Sequence, residues 1–228
     1  MVRRIANELK NHAPFTAAGA VTGIIIMVVI VFGNLLPKIS PISYSIFYVL
    51  HPTHVVLSAL VTTAMYKKYS NGKIWAAILV GYFGSIGIAT LSDSVIPYLG
   101  ETLFGLENKG IHIGFIEEGQ IVNPAALIGI AIGYLRPTTK FPHAGHVLIS
   151  TWASLFHIIM ALGETVSWIL LPGIFSFLFI AVWLPCCTSD IVFPLLFVKG
   201  KVVTLEQEAY NQCDLSRRKY EASHHHHK

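Results

Sequence analysis

The chain has 228 residues, of which 54% are hydrophobic and 12% charged, and its formal net charge is +4. A soluble domain carries about 25% charged residues, so this composition excludes a soluble globular enzyme, a disordered chain and a nucleic-acid-binding domain. The small basic excess lies on one side of the apolar segments and reads as an orientation signal rather than as an acidic partner's footprint.

A membrane helix needs about 20 mostly apolar residues. Six candidate spans follow in chain order, over 15–36, 43–66, 74–99, 124–135, 142–162 and 169–198. The fourth is short and also fits a re-entrant segment. Helices are expected throughout, because lipid offers no water to pair free N–H and C=O groups. The first apolar run is too long for a signal-peptide core and no small-residue cleavage site follows it, so it reads as a span.

Lys and Arg set the orientation. Fourteen of the sixteen basic residues fall in the N-terminal tail, the loops after spans two and four, and the C-terminal tail; Lys38 and Lys109 are the exceptions. This bias predicts six spans with both termini cytoplasmic. The expected organisation is a tail over 1–14, a three-helix unit over 15–99, an extracytoplasmic acidic loop over 100–123, a second three-helix unit over 124–198 and a polar tail over 199–228. That loop carries Glu101, Glu107, Glu117, Glu118 and His112 and reads as a solvated surface. Cys186 and Cys187 lie in span six and Cys213 in the inner tail, so none forms an exported disulfide. The histidine run at 224–227 reads as a purification tag and is set aside.

The two units are repeats. Span two carries His51-Pro-Thr-His54-Val-Val-Leu-Ser58 and span five His143-Ala-Gly-His146-Val-Leu-Ile-Ser150, both HxxHVxxS. Span three ends Ser92-Asp93-Ser-Val95-Ile-Pro97-Tyr-Leu99 and span six Ser189-Asp190-Ile-Val192-Phe-Pro194-Leu-Leu196, both SDxVxPxL. The motifs recur in order, at offsets of 92 and 97 residues. Three spans per unit is odd, so the halves enter the membrane with opposite polarity. The expected fold is an all-α integral membrane protein of six transmembrane helices, arranged as two inverted three-helix repeats, as in many secondary transporters.

Positions i, i+3 and i+7 share a helix face. His51, His54 and Ser58 form one such stripe, and His143, His146 and Ser150 another. Asp93 and Asp190 are the carboxylates placed inside the apolar spans, where ionisable groups face a cavity or a partner. Pro97 and Pro194 have no N–H to give the carbonyls of Asp93 and Asp190. Topology assigns His51, His54 and Asp93 to the outer half, with His157 added from about 21 Å along span five. It assigns His143, His146 and Asp190 to the inner half, where Cys186 and Cys187 could add thiolates. Two His and one Asp with open positions suit Zn²⁺, Fe²⁺ or Mn²⁺. Ser58 and Ser150 are additional candidate ligands. Pro52 and Pro142 are expected to bend or start their helices, and the face of Gly81, Gly84 and Gly87 to pack closely against a neighbour.

The function this pattern points to is transport of a divalent transition-metal cation, with protons coupled through His and Asp. Three alternatives share the same residues: a metal-dependent membrane enzyme, a haem or electron-transfer subunit using His51 or His54 with His157, and an accessory subunit of a larger membrane complex. The first lacks HExxH and GxSxG motifs in this sequence. The expected partners are the lipid bilayer, a metal cation, protons and an oligomer or larger complex, with no nucleic acid.

Overall fold

A computed structural model describes residues 2–70, 73–136, 140–162, 169–188 and 192–197. Among them the chain is all helical. The elements are α1 (Val2–Phe32), α2 (Leu36–Tyr69), α3 (Ile74–Thr90), a π turn (Leu91–Val95), α4 (Ile96–Leu103), α5 (Gly114–Glu117), α6 (Gly119–Leu135), α7 (Lys140–Ala161), α8 (Leu170–Cys187) and α9 (Phe193–Leu196). Three stretches are long and apolar enough to cross a membrane: Leu36–Lys68, Ile74–Leu103 and Ala144–Ala161.

Helix ends follow local chemistry. Asn34 adopts a left-handed φ of 49°. This lets Asn34 N–H reach the Val31 carbonyl and Leu35 N–H reach that of Ile30, the paired bonds that close a helix C-terminus. Pro37 then occupies the first turn of α2, where a missing N–H costs nothing. Pro41 and Pro52 neither start nor end α2, which runs through both. The residues expected as a short fourth span lie in a helix that begins five residues earlier, at Gly119, with Pro124 inside it.

Side chains are distributed inside out relative to a soluble bundle. Trp75, Leu79 and Phe83 of α3 and Leu127, Ile128 and Leu135 of α6 are exposed. His51, His54, Asp93, His146, Ser150, Ser154 and His157 are buried. Apolar outside and polar inside is the pattern of a protein whose solvent is lipid. One apolar core joins α1, α7 and α8 around Met27, Leu155, Ile159, Ile174 and Leu178.

The centre of the bundle is α2, which packs against α3, α6 and α7. Its contact with α6 is backbone on backbone. A Cβ on Gly129 would stand 2.2 Å from the Val56 carbonyl oxygen, and one on Gly133 would stand 2.3 Å from that of Leu60. Gly129 and Gly133 form a GxxxG pair, which lets membrane helices approach closely. Lys67 Nζ also donates to the Tyr134 carbonyl at the end of α6. Of the three glycines singled out in α3, Gly81 meets Thr63 and Ile130, and Gly84 meets Phe193 and Thr62. Gly87 faces open space, so the close face is shorter than its spacing implies.

These contrasts give a paired prediction. Gly133→Ala forces a methyl onto a carbonyl that has no rotamer to yield, and should lose about 1–3 kcal/mol. Gly87→Ala meets nothing and should be neutral or stabilising by up to about 1 kcal/mol through helix propensity. Thermal unfolding of both variants in detergent micelles measures the difference; equal midpoints would contradict the close α2–α6 contact.

Candidate functional site

The site begins with Pro97. A proline at this position supplies no N–H to the ladder and crowds the carbonyl four residues back. The helix accommodates it by widening one turn, so that Ile96 N–H bonds the Leu91 carbonyl five residues back. Such π turns recur at functional sites. The Ser92 carbonyl thereby loses its α-helical donor, Ile96, to Leu91, and its π-register donor would be Pro97. Ser154 of α7 lies against it, its Oγ 2.9 Å from the Ser92 oxygen and 2.9 Å from the Ser150 oxygen, so one hydroxyl proton serves both carbonyls.

Asp93 sits mid-turn and is fully buried. Its Oδ2 accepts from His51 Nδ1 at 3.0 Å and from His54 Nδ1 at 2.7 Å. Its Oδ1 accepts from Ser92 Oγ at 2.7 Å and from Ser150 Oγ at 2.8 Å. An ionised carboxylate only accepts, so against it both imidazoles donate through Nδ1 and turn Nε2 away. Neither Nε2 atom has a hydrogen-bond partner among the described residues. A histidine held at one nitrogen by a carboxylate, with the other nitrogen bare, is the arrangement that carboxylates impose on metal-binding imidazoles.

The two bare nitrogens serve different surroundings. The His51 ring stacks on Phe47 at 5.2 Å, and its Nε2 lies 2.6 Å from where a Cβ on Gly114 would stand. The His54 ring stacks on His146 at 5.0 Å with 15° between planes. His54, His146 and Cys186 each offer one ligand atom, all within 4.8 Å of one another and all buried. Cys186 Sγ is 3.9 Å from Ser150 Oγ, which connects it to the Asp93 network.

Several expectations are corrected here. His51, His54 and Asp93 converge, and His146, expected in the inner set, stacks on His54. The reason is helix length: α2 starts at Leu36, seven residues before the expected span, so its HxxH motif falls near mid-helix and beside α7. Asp93 is positioned to orient imidazoles, with both oxygens already engaged, rather than to offer an open ligand. His157 does not reach Asp93; its Nδ1 pairs with Glu101 Oε1 at 2.6 Å. Ser58 is buried one turn beyond His54, and Ser150 touches the carboxylate directly. Asp190 lies outside the described residues, and of His143 and Cys187 only the helix backbone is described.

Glu101 was assigned to the solvated loop, yet it lies in α4 and is buried. The sequence signal was the continued apolar run Leu99, Leu103, Phe104 and Leu106, which extends the helix past the end of the expected span. The loop is anchored instead by Glu117. Its Oε2 accepts from Tyr48 Oη at 2.5 Å and His112 Nδ1 at 3.1 Å, and its Oε1 from Ile113 N at 3.2 Å.

No known protein family, curated protein or solved structure matches this chain.

Two predictions test the local physics. Ser154→Ala should lose about 1–3 kcal/mol, because it strands the buried Ser92 carbonyl. In a Pro97→Ala background, which restores an N–H to the ladder, the same change should cost less; a double-mutant cycle in detergent with no coupling would refute the account of the π turn. Separately, partial burial pushes the Glu117 carboxyl up, but the donors Tyr48, His112 and Ile113 outweigh it and hold it below its ordinary value. A depressed folded value contributes stability that is complete above the unfolded value of about 4.3 and is lost as pH falls through the folded one. The protection factor of the Ile113 amide, taken against its intrinsic exchange rate at each pH, should therefore be high at neutral pH and fall on acidification. Glu117→Gln should remove that pH dependence.

Proposed function

We propose that this chain is an integral membrane transporter for a divalent transition-metal cation. The observation that carries the reading is His54. Asp93 holds its Nδ1–H, its Nε2 has no hydrogen-bond partner among the described residues, and one ring nitrogen of His54 stands within 4.8 Å of ligand atoms from His146 and Cys186. Those three supply two imidazoles and a thiolate, a borderline-to-soft set that favours Zn²⁺ over Mn²⁺ or Fe²⁺. Three donors leave a fourth tetrahedral position for water or an exchanging ligand. A partly open site suits a cargo that must leave again.

The same reading takes the three long apolar helices together with the shorter ones, Thr16–Phe32, Gly119–Leu135 and Leu170–Cys186. This gives six spans in two inverted three-helix repeats, with both termini cytoplasmic. The repeated HxxHVxxS helices, α2 and α7, pack side by side, so the cluster lies at the junction of the two repeats. Transporters of this architecture bind cargo at such a junction and rock one repeat against the other.

The test is calorimetric titration of Zn²⁺ into purified full-length protein with histidines 224–227 removed, followed by Zn²⁺ uptake into proteoliposomes. About one equivalent should bind per chain. Asp93→Asn, which loosens the imidazole clamp, should weaken affinity about 10–100-fold, and His54→Ala or Cys186→Ala should weaken it at least as much. Uptake should fall in step. Absence of Zn²⁺ binding by the unmodified chain, or uptake by Asp93→Ala at the original rate, would falsify the reading.

A further inference from the structure

A second set of titratable groups lies away from the imidazole–thiol cluster. His157 follows His146 by 11 residues on α7, or about 16 Å of helix rise. Its Nδ1–H donates to Glu101 Oε1 at 2.6 Å, and both side chains are closed to solvent. Glu101 Oε2 accepts the Gly110 amide at 3.3 Å. His157 Nε2 has no hydrogen-bond partner among the described residues. It is therefore a buried base beside a buried carboxylate, and the cation cluster does not use it.

The pair has a neighbour open to water. The His112 ring meets that of His157 edge-on at 5.4 Å and is 28% exposed. Its Nδ1 donates to Glu117, which Tyr48 also contacts. On the α2 side, Phe47 separates the pair from His51, stacking on His51 and meeting His157 edge-on. The titratable groups about His157 are thus Glu101 from α4, His112 and Glu117 from the loop and α5, and Tyr48 and His51 beyond Phe47 on α2.

We propose that Glu101 and His157 form a proton-binding site whose loading is coupled to cation movement; the coupling rests on the transporter reading above. In the unloaded state a carboxylate and a neutral imidazole carry a net charge of −1. A hydrated proton, relayed through His112, forms a new N–H bond at His157 Nε2, and the pair becomes a carboxylate–imidazolium of net charge zero. His112 returns to its starting form when it passes the proton on. Unloading reverses the step, so no other reactant is needed.

Coupling follows from placement. Hydrogen bonds join α7 to the segment from Ser92 to Glu101, among them Ser154 to the Ser92 carbonyl, Ser150 to Asp93, and His157 to Glu101. The proton pair and the clamp that orients His54 therefore lie on one interface. A change of charge at one end biases the same helix contact that positions the other, which is the physical requirement for linkage.

Histidine-ring NMR of the full chain in nanodiscs tests the proton site without any cation. One buried ring should gain a proton at Nε2 on acidification. That signal should vanish in His157→Gln and move in Glu101→Gln. The second arm uses Zn²⁺ alone as the probe. Glu101→Gln should bind Zn²⁺ in detergent within about twofold of the unmodified chain, yet lose about tenfold or more of the acceleration that a pH gradient gives to liposome uptake. A His157 ring that never titrates, or a Glu101→Gln variant that keeps its gradient response, overturns the proposal. Failure of the unmodified chain to bind Zn²⁺ would sink the transporter reading instead, and the NMR arm would still decide the proton site.

Discussion

The Asp93 carboxylate is the constraint on which the interior depends. A bare ionised group at that depth would be penalised by several kcal/mol, and four donors from α2, the π turn and α7 surround it instead. Each donor fixes something beyond its own bond. The two histidines are locked into one tautomer, and Ser150 registers α7 against the π turn. Replacing both partners of one bond could be neutral, but removing the carboxylate alone would leave two buried imidazole N–H groups with nothing to accept them. The network is therefore held together by its most costly member.

Much of this was legible in the sequence, and the misses share a cause. The HxxHVxxS and SDxVxPxL repeats pointed to His51, His54, Asp93, His146 and Ser150 because helical spacing is a local property, and Cys186 followed only from its place in the sixth apolar run. The freed carbonyl after proline was also foreseeable, although the π register moves the consequence from Asp93 to Ser92. What spacing does not carry is where a helix starts in depth. An α2 that begins at Leu36 shifts its motif toward the bundle centre, and His146 of the expected inner set comes to stack on His54. Glu101 was missed for the same reason at the other end, where α4 continues through residues assigned to a loop. The spacing of Gly129 and Gly133 does not single them out from the glycine-rich face of α3, because composition says which helices can approach closely but not which partner they meet.

The distribution of polarity explains why so few loops matter. With apolar side chains turned outward on α3 and α6, the exterior contributes little specificity, and the polar contacts sit where α2, α7 and the π turn face one another. The loop carrying Glu117 is the exception. Gly114 is pressed against His51 Nε2, and Tyr48 and His112 hold the adjoining turn through one carboxylate. Cover of the His51 nitrogen by backbone, with no side chain between, makes this stretch part of the interior although it lies outside the long helices.

The π turn has a geometric result beyond its hydrogen bonds. An α-helix advances about 100° per residue, so residues eight apart on a regular helix point about 80° away from each other. One extra residue wound into a single turn subtracts about one such step, and because Asp93 stands mid-turn about half of it falls before Glu101, narrowing the angle between the two acids to about 30°. The turn thus acts as a phase corrector. Two acids that a regular helix would aim at different neighbours are both aimed at α7. Deleting one residue from Leu91–Val95 while keeping every functional side chain would rewind the helix and swing Glu101 away from His157.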